Sequence, residues 1–418
     1  MCNELFDFIK ESPTAFHTVE SVAKILSVNG FSELCEGAEF NMVDGGRYFV
    51  KRNGSSLIAF VYKNGARGFM ISAAHSDTPS LKIKTSGEKR GAYTRLSVER
   101  YGGLINYSWL DRPLSIAGRV VVKTNSGIES RLVNIDSDVA VIPSLAIHLN
   151  RSVNDSASFN PAVDLLPLLA GKDGGVMEFI AEKTGVLPSD IISHDLFLYN
   201  REEGRVIGIN GEFILSPRLD DLECVYAAAR AFVNSSPTSS IPVLAIFDNE
   251  EVGSETKQGA ASGFLYDILS RLTDSLDTAL YNSFIVSADN AHALHPNHPE
   301  LSDADNAPLL NGGIVIKQNA NQKYATDAVS DAVFREICTR AGAKTQTYYN
   351  RADLPGGSTL GSIANTRVSA LTVDIGLPQL AMHSATETAG AGDLSELIKA
   401  LTEFYGTSIK RIGDKIEF

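Results

Sequence analysis

The chain is poor in sulfur: its four cysteines, Cys2, Cys35, Cys224 and Cys338, lie far apart among 418 residues with no CxxC pair. That is too few for a disulfide framework in a chain of this length, so reduced, mostly buried thiols are expected. Positive charge is also short, with 37 Lys+Arg against 50 Asp+Glu, a net charge of −13 and a pI near 5.1. A general nucleic-acid binder needs a basic face to neutralise phosphates, so no nucleic-acid partner is expected. There is no run of about 18 apolar residues, and residues 1–10 lack the basic start and apolar stretch of a secretory signal. The reading is of a cytoplasmic protein with no membrane partner. A nucleotide-binding α/β protein lacks support as well, because Gly356-Gly357-Ser358-Thr359 is not followed by the Gly-Lys-Ser/Thr of a phosphate loop.

What is present is an ordinary globular composition, 44% hydrophobic and 21% charged. The length suggests two or three domains with ample chain for a core. Leu5 to Leu26 has helical apolar spacing, and Leu57 to Tyr62 and Gly68 to Ala74 read as buried strands. From about residue 91 to 214 the segments become short and strand-like, Leu114 to Lys123 and Val206 to Leu215 among them, with polar turns and a Pro/Asn/Asp-rich loop near residues 152–167. An α/β rhythm then returns. Leu222, Val225, Tyr226, Ala229, Phe232 and Val233 follow helical spacing, and strands fit Ile241 to Phe247, Phe284 to Ala288, Ile314 to Ile316 and Val368 to Ile375. Helices fit Tyr324 to Arg340 and Asp393 to Phe404. The fold expected is α/β: a mostly parallel sheet covered by helices, formed by residues 1–90 plus 215–418, with a β-rich insertion at 91–214.

Acids and histidines fall at the ends of those strands. His75 and Asp77 follow one strand, residues 248–251 another and residues 289–292 a third. In open α/β sheets ligands bind outside the carboxyl ends of the strands, so three segments deliver polar groups to one place. Adjacent carboxylates at a buried sheet edge repel, and a dication between them relieves the cost. His75, Asp220, Glu251, Asp289 and His383 supply imidazole and carboxylate, a donor set for zinc, cobalt or manganese. Five ligands exceed the needs of one catalytic zinc and suit two ions that share a bridging carboxylate. Asp77 then orients the His75 imidazole, and Glu250, left free of metal, is the general base that moves a proton from water to a leaving amine.

Together His75-Ser76-Asp77-Thr78-Pro79-Ser80, Arg218-Leu219-Asp220, residues 249–254, residues 287–293 and residues 379–384 resemble, in order and over nearly the whole chain, the aspartyl aminopeptidase family, peptidase family M18. The resemblance implies two zinc ions on the same five ligands, with Asp220 bridging and Glu250 as base. It implies a zinc-exopeptidase-type catalytic domain, a β-rich insertion that dimerises, and dimers assembled into a dodecamer whose active sites face an enclosed chamber. It also implies that His148, in residues 146–151, reaches a neighbouring subunit's site and helps bind the reacting carbonyl oxygen, and that Lys317 meets an acidic substrate side chain. Gly356 and Gly357 offer small residues and backbone donors for a substrate-contact turn, with Asp353 before it to orient the turn or the substrate amine. His292, beside Asp289, is a further candidate contact. Peptides are the implied substrates. A neutral or basic P1 preference, or an inactive cargo or shell protein of the same fold, stands as the alternative reading.

Overall fold

The computed structural model describes residues 1–172, 174–357 and 359–418. Ser358 of the glycine-rich turn lies outside the described residues. Among those residues a nine-stranded sheet forms the centre, and its middle is four parallel strands in the order Ser240–Phe247, Gly68–His75, Phe284–Ala288 and Leu371–Gly376. Every residue of the first three is buried, which is why they read as continuous apolar runs. Side chains alternate between two cores. Met70 and Ala74 join the cluster that contains helices Leu219–Phe232, Ala328–Ala341 and Asp393–Tyr405, while Phe69, Ile71 and Ala73 face helices Phe264–Leu269, Leu276–Tyr281 and Leu360–Ala364.

The flanks of the sheet are mixed. Arg47–Arg52 and Ser56–Val61 form an antiparallel hairpin, and the second of these strands pairs antiparallel with Ser240–Phe247. Asn53 and Gly54, both at positive φ, make the tight reversal that antiparallel pairing needs. On the other side Ile314–Gln318 runs antiparallel to Leu371–Gly376 and parallel to Thr345–Tyr349. Several segments differ in detail from their sequence patterns, the strand expected at Val368 to Ile375 beginning only at Leu371. The helical run from Leu5 to Leu26 is two helices, Cys2–Glu11 and Ala15–Val28, because Pro13 lacks an amide donor and disfavours helix at the residue before it. Val206 to Leu215 is a hairpin of Arg205–Ile207 and Phe213–Ser216. The helix read from Tyr324 begins at Ala328, where Asp327 and Ser330 form a reciprocal cap.

A second, six-stranded sheet has the order Gly127–Asn134, Leu114–Thr124, Ile191–Asn200, Ser80–Lys89, Thr94–Tyr101 and Leu168–Ala170. Leu81, Val98, Ile116 and Leu196 form its apolar core with Ile180 of helix Val176–Thr184. Ser80–Lys89, which lies before residue 91, is hydrogen-bonded into this sheet. A third sheet of five short strands includes Ala291–His292, Pro378–Leu380 and Glu387–Gly390 and frames the turn that carries His383. No helix among the described residues is long and apolar enough to cross a membrane.

Candidate metal centre

Three adjacent parallel strands end on one side of the sheet. His75 is the last residue of Gly68–His75, Glu250 and Glu251 lie in a short turn after Phe247, and Asp289 follows Ala288. Asp220 sits at the start of Leu219–Phe232, in a first turn whose dihedrals are not yet helical (φ −83°, ψ 109°), so its carboxylate leaves the helix axis and enters the site. His383 lies in the turn after Pro378–Leu380 at φ 67°.

These side chains converge around Asp220. Its Oδ1 lies 3.6 Å from His75 Nε2, and its Oδ2 lies 3.5 Å from His383 Nε2. His75 Nε2 is also 4.0 Å from Asp289 Oδ1, and His383 Nε2 is 3.4 Å from Glu251 Oε2. Two ligands at zinc's usual bond lengths of roughly 2.0–2.1 Å stand about 3.4 Å apart across a tetrahedral angle. Of three donor groups that fit an ion among the described residues, two share Asp220, one with His75, Asp221 and Asp289 and the other with Glu251 and His383, and the third joins His75, Glu250 and Glu251. Asp220 Oδ1 and Glu251 Oε1 are buried with no hydrogen-bond partner among the described residues. Carboxylate oxygens left bare in a protein interior are costly unless a cation meets them, and that is the observation by which these residues fit a metal.

The surroundings hold the donors in place. His75 Nδ1 donates to the Asp77 backbone carbonyl at 2.9 Å, with the Asp77 carboxylate farther off at 3.5 Å. Nε2 is then free to face Asp220 and Asp289. The Asp77 carboxylate instead accepts from the Glu250 amide (3.1 Å), the Glu251 amide (3.2 Å) and the Tyr101 hydroxyl (2.7 Å). Glu387, which the sequence reading did not single out, accepts from the Asp220 amide at 3.0 Å and the His383 amide at 2.7 Å. Asp221 was missed too. It accepts from the His75 amide at 3.1 Å and stands within reach of the His75 and Asp289 donor group. Its only sequence signal is adjacency to Asp220, whereas Glu387 offers only its place four residues after His383, its other partner Asp220 being distant in the chain.

Electrostatics follow from crowding acids in a dry place. Burial, then the Asp289 charge, pushes the Glu250 carboxyl up to about 8. Burial and Asp220 do the same to Glu387, also to about 8, and burial raises Glu251 well above the carboxylate range. Burial pulls His383 down, but the Asp220 and Glu251 carboxylates outweigh it and carry the imidazole up to about 10. Burial also opposes ionisation of Asp220, yet His383 and His75 hold its carboxyl below the usual range. Without metal, protons and imidazolium ions occupy the place of the missing positive charge.

A cavity of about 220 Å³ opens on these groups, lined by Asp220, Glu250, Glu251, Asp289 and His383 and also by His292, Lys317 and Gly357. Lys317 is buried with its Nζ 3.7 Å from Asp289 Oδ2 and 5.6 Å over the Tyr324 ring. His292 stands at the cavity mouth beside Tyr348, ring centroids 6.4 Å apart. Gly356 packs close to Asn350 without lining the cavity. Asp353 is exposed and paired with Arg351 at 2.9 Å, away from the lining. His148 lies on an exposed stretch and does not line the cavity of its own chain.

Residues 8–405 match the family described as aminopeptidase I zinc metalloprotease (M18). A probable M18 family aminopeptidase 2 of Clostridium acetobutylicum is 46% identical over 422 residues, with 96% of this chain and 98% of that protein covered. Among solved structures, Ape4 in complex with Nbr1 is similar at a TM-score of 0.93 and 35% identity, covering 97% of this chain and 85% of that one. The S. cerevisiae mApe1 dodecamer is similar at 0.86 and 31% identity, covering 97% and 96%.

Proposed function

Because the chain belongs to the M18 family of zinc aminopeptidases, we propose that it removes an N-terminal residue, Asp or Glu, from peptides at a two-ion centre held by His75, Asp220, Glu251, Asp289 and His383. The observation that carries the two-ion reading is Asp220, whose two oxygens face two different imidazoles, as a bridging carboxylate requires. Zinc bound there, or cobalt or manganese in its stead, supplies a Lewis acid for the scissile carbonyl and lowers the pKa of water.

The chain's own residues do the rest. Glu250 lines the cavity beside the ligands, its carboxylate within 4.8 Å of His75 and Glu251 donor atoms, and in this reading it takes the proton of the attacking water and delivers it to the leaving amine. Asp77 fixes the Glu250 and Glu251 amides and so sets where the base points. Lys317 offers a cation to a P1 carboxylate through a charge-assisted contact, and His292 and Gly357, which line the cavity, contact the substrate, whereas Gly356 and Asp353, outside the lining, are left without a substrate role. One observation favours a second reading. Lys317 already faces Asp289, and a lysine committed to that carboxylate would leave a neutral P1 residue preferred.

His148 completes the site from a neighbouring subunit and binds the carbonyl oxygen as charge develops on it. Support comes from its exposed position beside exposed Leu145, Ile147 and Leu149, an apolar stretch suited to cover by another copy, and from the dodecamer formed by the similar mApe1. The six-stranded sheet unit, with its beginning moved from residue 91 to Ser80, is the dimerisation part, and dimers build the dodecamer. Cytoplasmic localisation is part of the same reading.

The test is hydrolysis of unblocked Asp, Glu, Ala, Leu and Lys aminoacyl substrates by wild type and Lys317→Ala. Preference for Asp and Glu that collapses in the variant supports the acidic reading. A wild-type preference for Leu or Ala, or an acidic preference that survives the substitution, rejects the Lys317 role.

A further inference from the structure

The strand Thr94–Tyr101 leaves the six-stranded sheet and runs directly into the metal centre. The Tyr101 hydroxyl donates to Asp77 Oδ2 at 2.7 Å and accepts from Asn249 Nδ2 at 2.8 Å. Asp77, in turn, receives the amides of Glu250 and Glu251. Next in the chain, Gly102 adopts φ +73° and lies so close to Glu251 that a Cβ there would stand 3.2 Å from Glu251 Cβ and 3.3 Å from its Oε2. The Gly103 carbonyl accepts from His383 Nδ1 at 3.2 Å, and the Ile105 amide donates to the His383 carbonyl at 3.1 Å. Four of the five residues 101–105, Leu104 excepted, thus touch the carboxylate that sets the Glu250–Glu251 turn, one acidic ligand or one imidazole ligand.

We infer that residues 101–105 are a positioning device for the metal centre, through which the six-stranded sheet controls how tightly metal is held. The inference rests on the two-ion reading above and adds residues to it. The chemistry is that of outer partners orienting ligands. Donation from His383 Nδ1 to Gly103 leaves the Nε2 lone pair directed toward Asp220 and Glu251. The Tyr101 hydroxyl is the side chain that hydrogen-bonds a carboxylate also held by the Glu250 and Glu251 amides, with His75 Nδ1 farther off at 3.5 Å, so its loss lets Asp77 and the turn it holds swing. None of residues 101–105 lines the cavity, which makes them positioning residues and not catalytic ones. A displacement of the six-stranded sheet, such as one imposed by packing against another copy, would reach His383 and Glu251 through this turn.

Equilibrium competition for zinc against a chelating indicator tests the inference on wild type, Tyr101→Phe, Gly102→Ala and a control, Tyr107→Phe, whose ring is exposed on the same part of the chain. Tyr101→Phe keeps the ring edge-on to Phe197, 5.6 Å between centroids, and deletes the hydroxyl alone. Tyr101→Phe and Gly102→Ala are expected to hold zinc 10- to 100-fold more weakly, with Gly102→Ala affecting the ion at Glu251 and His383 and the control unchanged. Wild-type affinity in both variants overturns the inference while leaving the two-ion reading intact. A wild-type protein that binds no zinc overturns the two-ion reading and this inference with it.

Discussion

Glu250 and Glu387 have carboxyls raised to about 8 when no metal is present, in both cases chiefly by burial. Their roles differ. Glu387 holds the amides of two ligands, while Glu250 faces the cavity. Glu250→Gln is expected to lower kcat by roughly 10² to 10⁴ while leaving zinc content and KM near wild type, as steady-state kinetics with metal analysis would show. Loss of zinc in that variant would make Glu250 a ligand and not a base. The raised carboxyls also fix a pH dependence for the metal-free protein. An acid whose folded pKa lies above its unfolded value contributes stability that is complete below about 4.5 and lost as pH rises through about 8. Thermal unfolding of metal-free protein should therefore weaken from about pH 5 to pH 8, and added zinc should raise Tm more at pH 8 than at pH 5. A metal-free Tm that climbs over this window contradicts the account.

Among the elements, those that build the floor of the site were legible because they are short apolar runs punctuated by polar residues. The strand Phe284–Ala288 was read with its observed limits, and Gly68–His75 and Ser240–Phe247 to within one residue at the ends. Strand order and direction were less legible. The antiparallel flanks depend on which distant strand accepts each edge, and periodicity within one segment carries no record of that. The same reason hid Tyr101, which bonds Asp77 and Asn249, and the link from Glu387 to Asp220, and it hid Asp77's main task, the turn it caps and not the imidazole beside it. The helix Ala328–Ala341 gives an independent check on the elements. Asp327 accepts the Val329 and Ser330 amides, so Asp327→Ala should cost about 1 kcal/mol of stability in denaturant unfolding. Specific activity of the folded fraction should not change, and a change would mean that this helix communicates with the site.

For the whole molecule, the exposed His148 and the cavity it does not line leave a single chain short of one group if the proposed reaction needs it. His148→Ala is expected to lose roughly 10² to 10³ in kcat, the usual effect of deleting a donor to a developing oxyanion. Co-assembled with Glu250→Gln subunits, it should regain turnover, because each His148→Ala site then borrows a histidine from a neighbour while keeping its own base. No recovery from mixed, re-assembled subunits would place His148 outside the reaction. The net charge of −13 repels acidic peptides at a distance, so any preference for them is local to the cavity and should survive in high salt. The central claim is a two-ion centre that acts on a free N-terminus. It is tested most directly by adding zinc back to metal-stripped protein while measuring bound metal and hydrolysis of an aspartyl substrate, unblocked or N-acetylated. The account predicts two ions per chain at full activity, no turnover without metal and none on the acetylated substrate. Full turnover with one ion bound, or equal cleavage of the acetylated substrate, would contradict it.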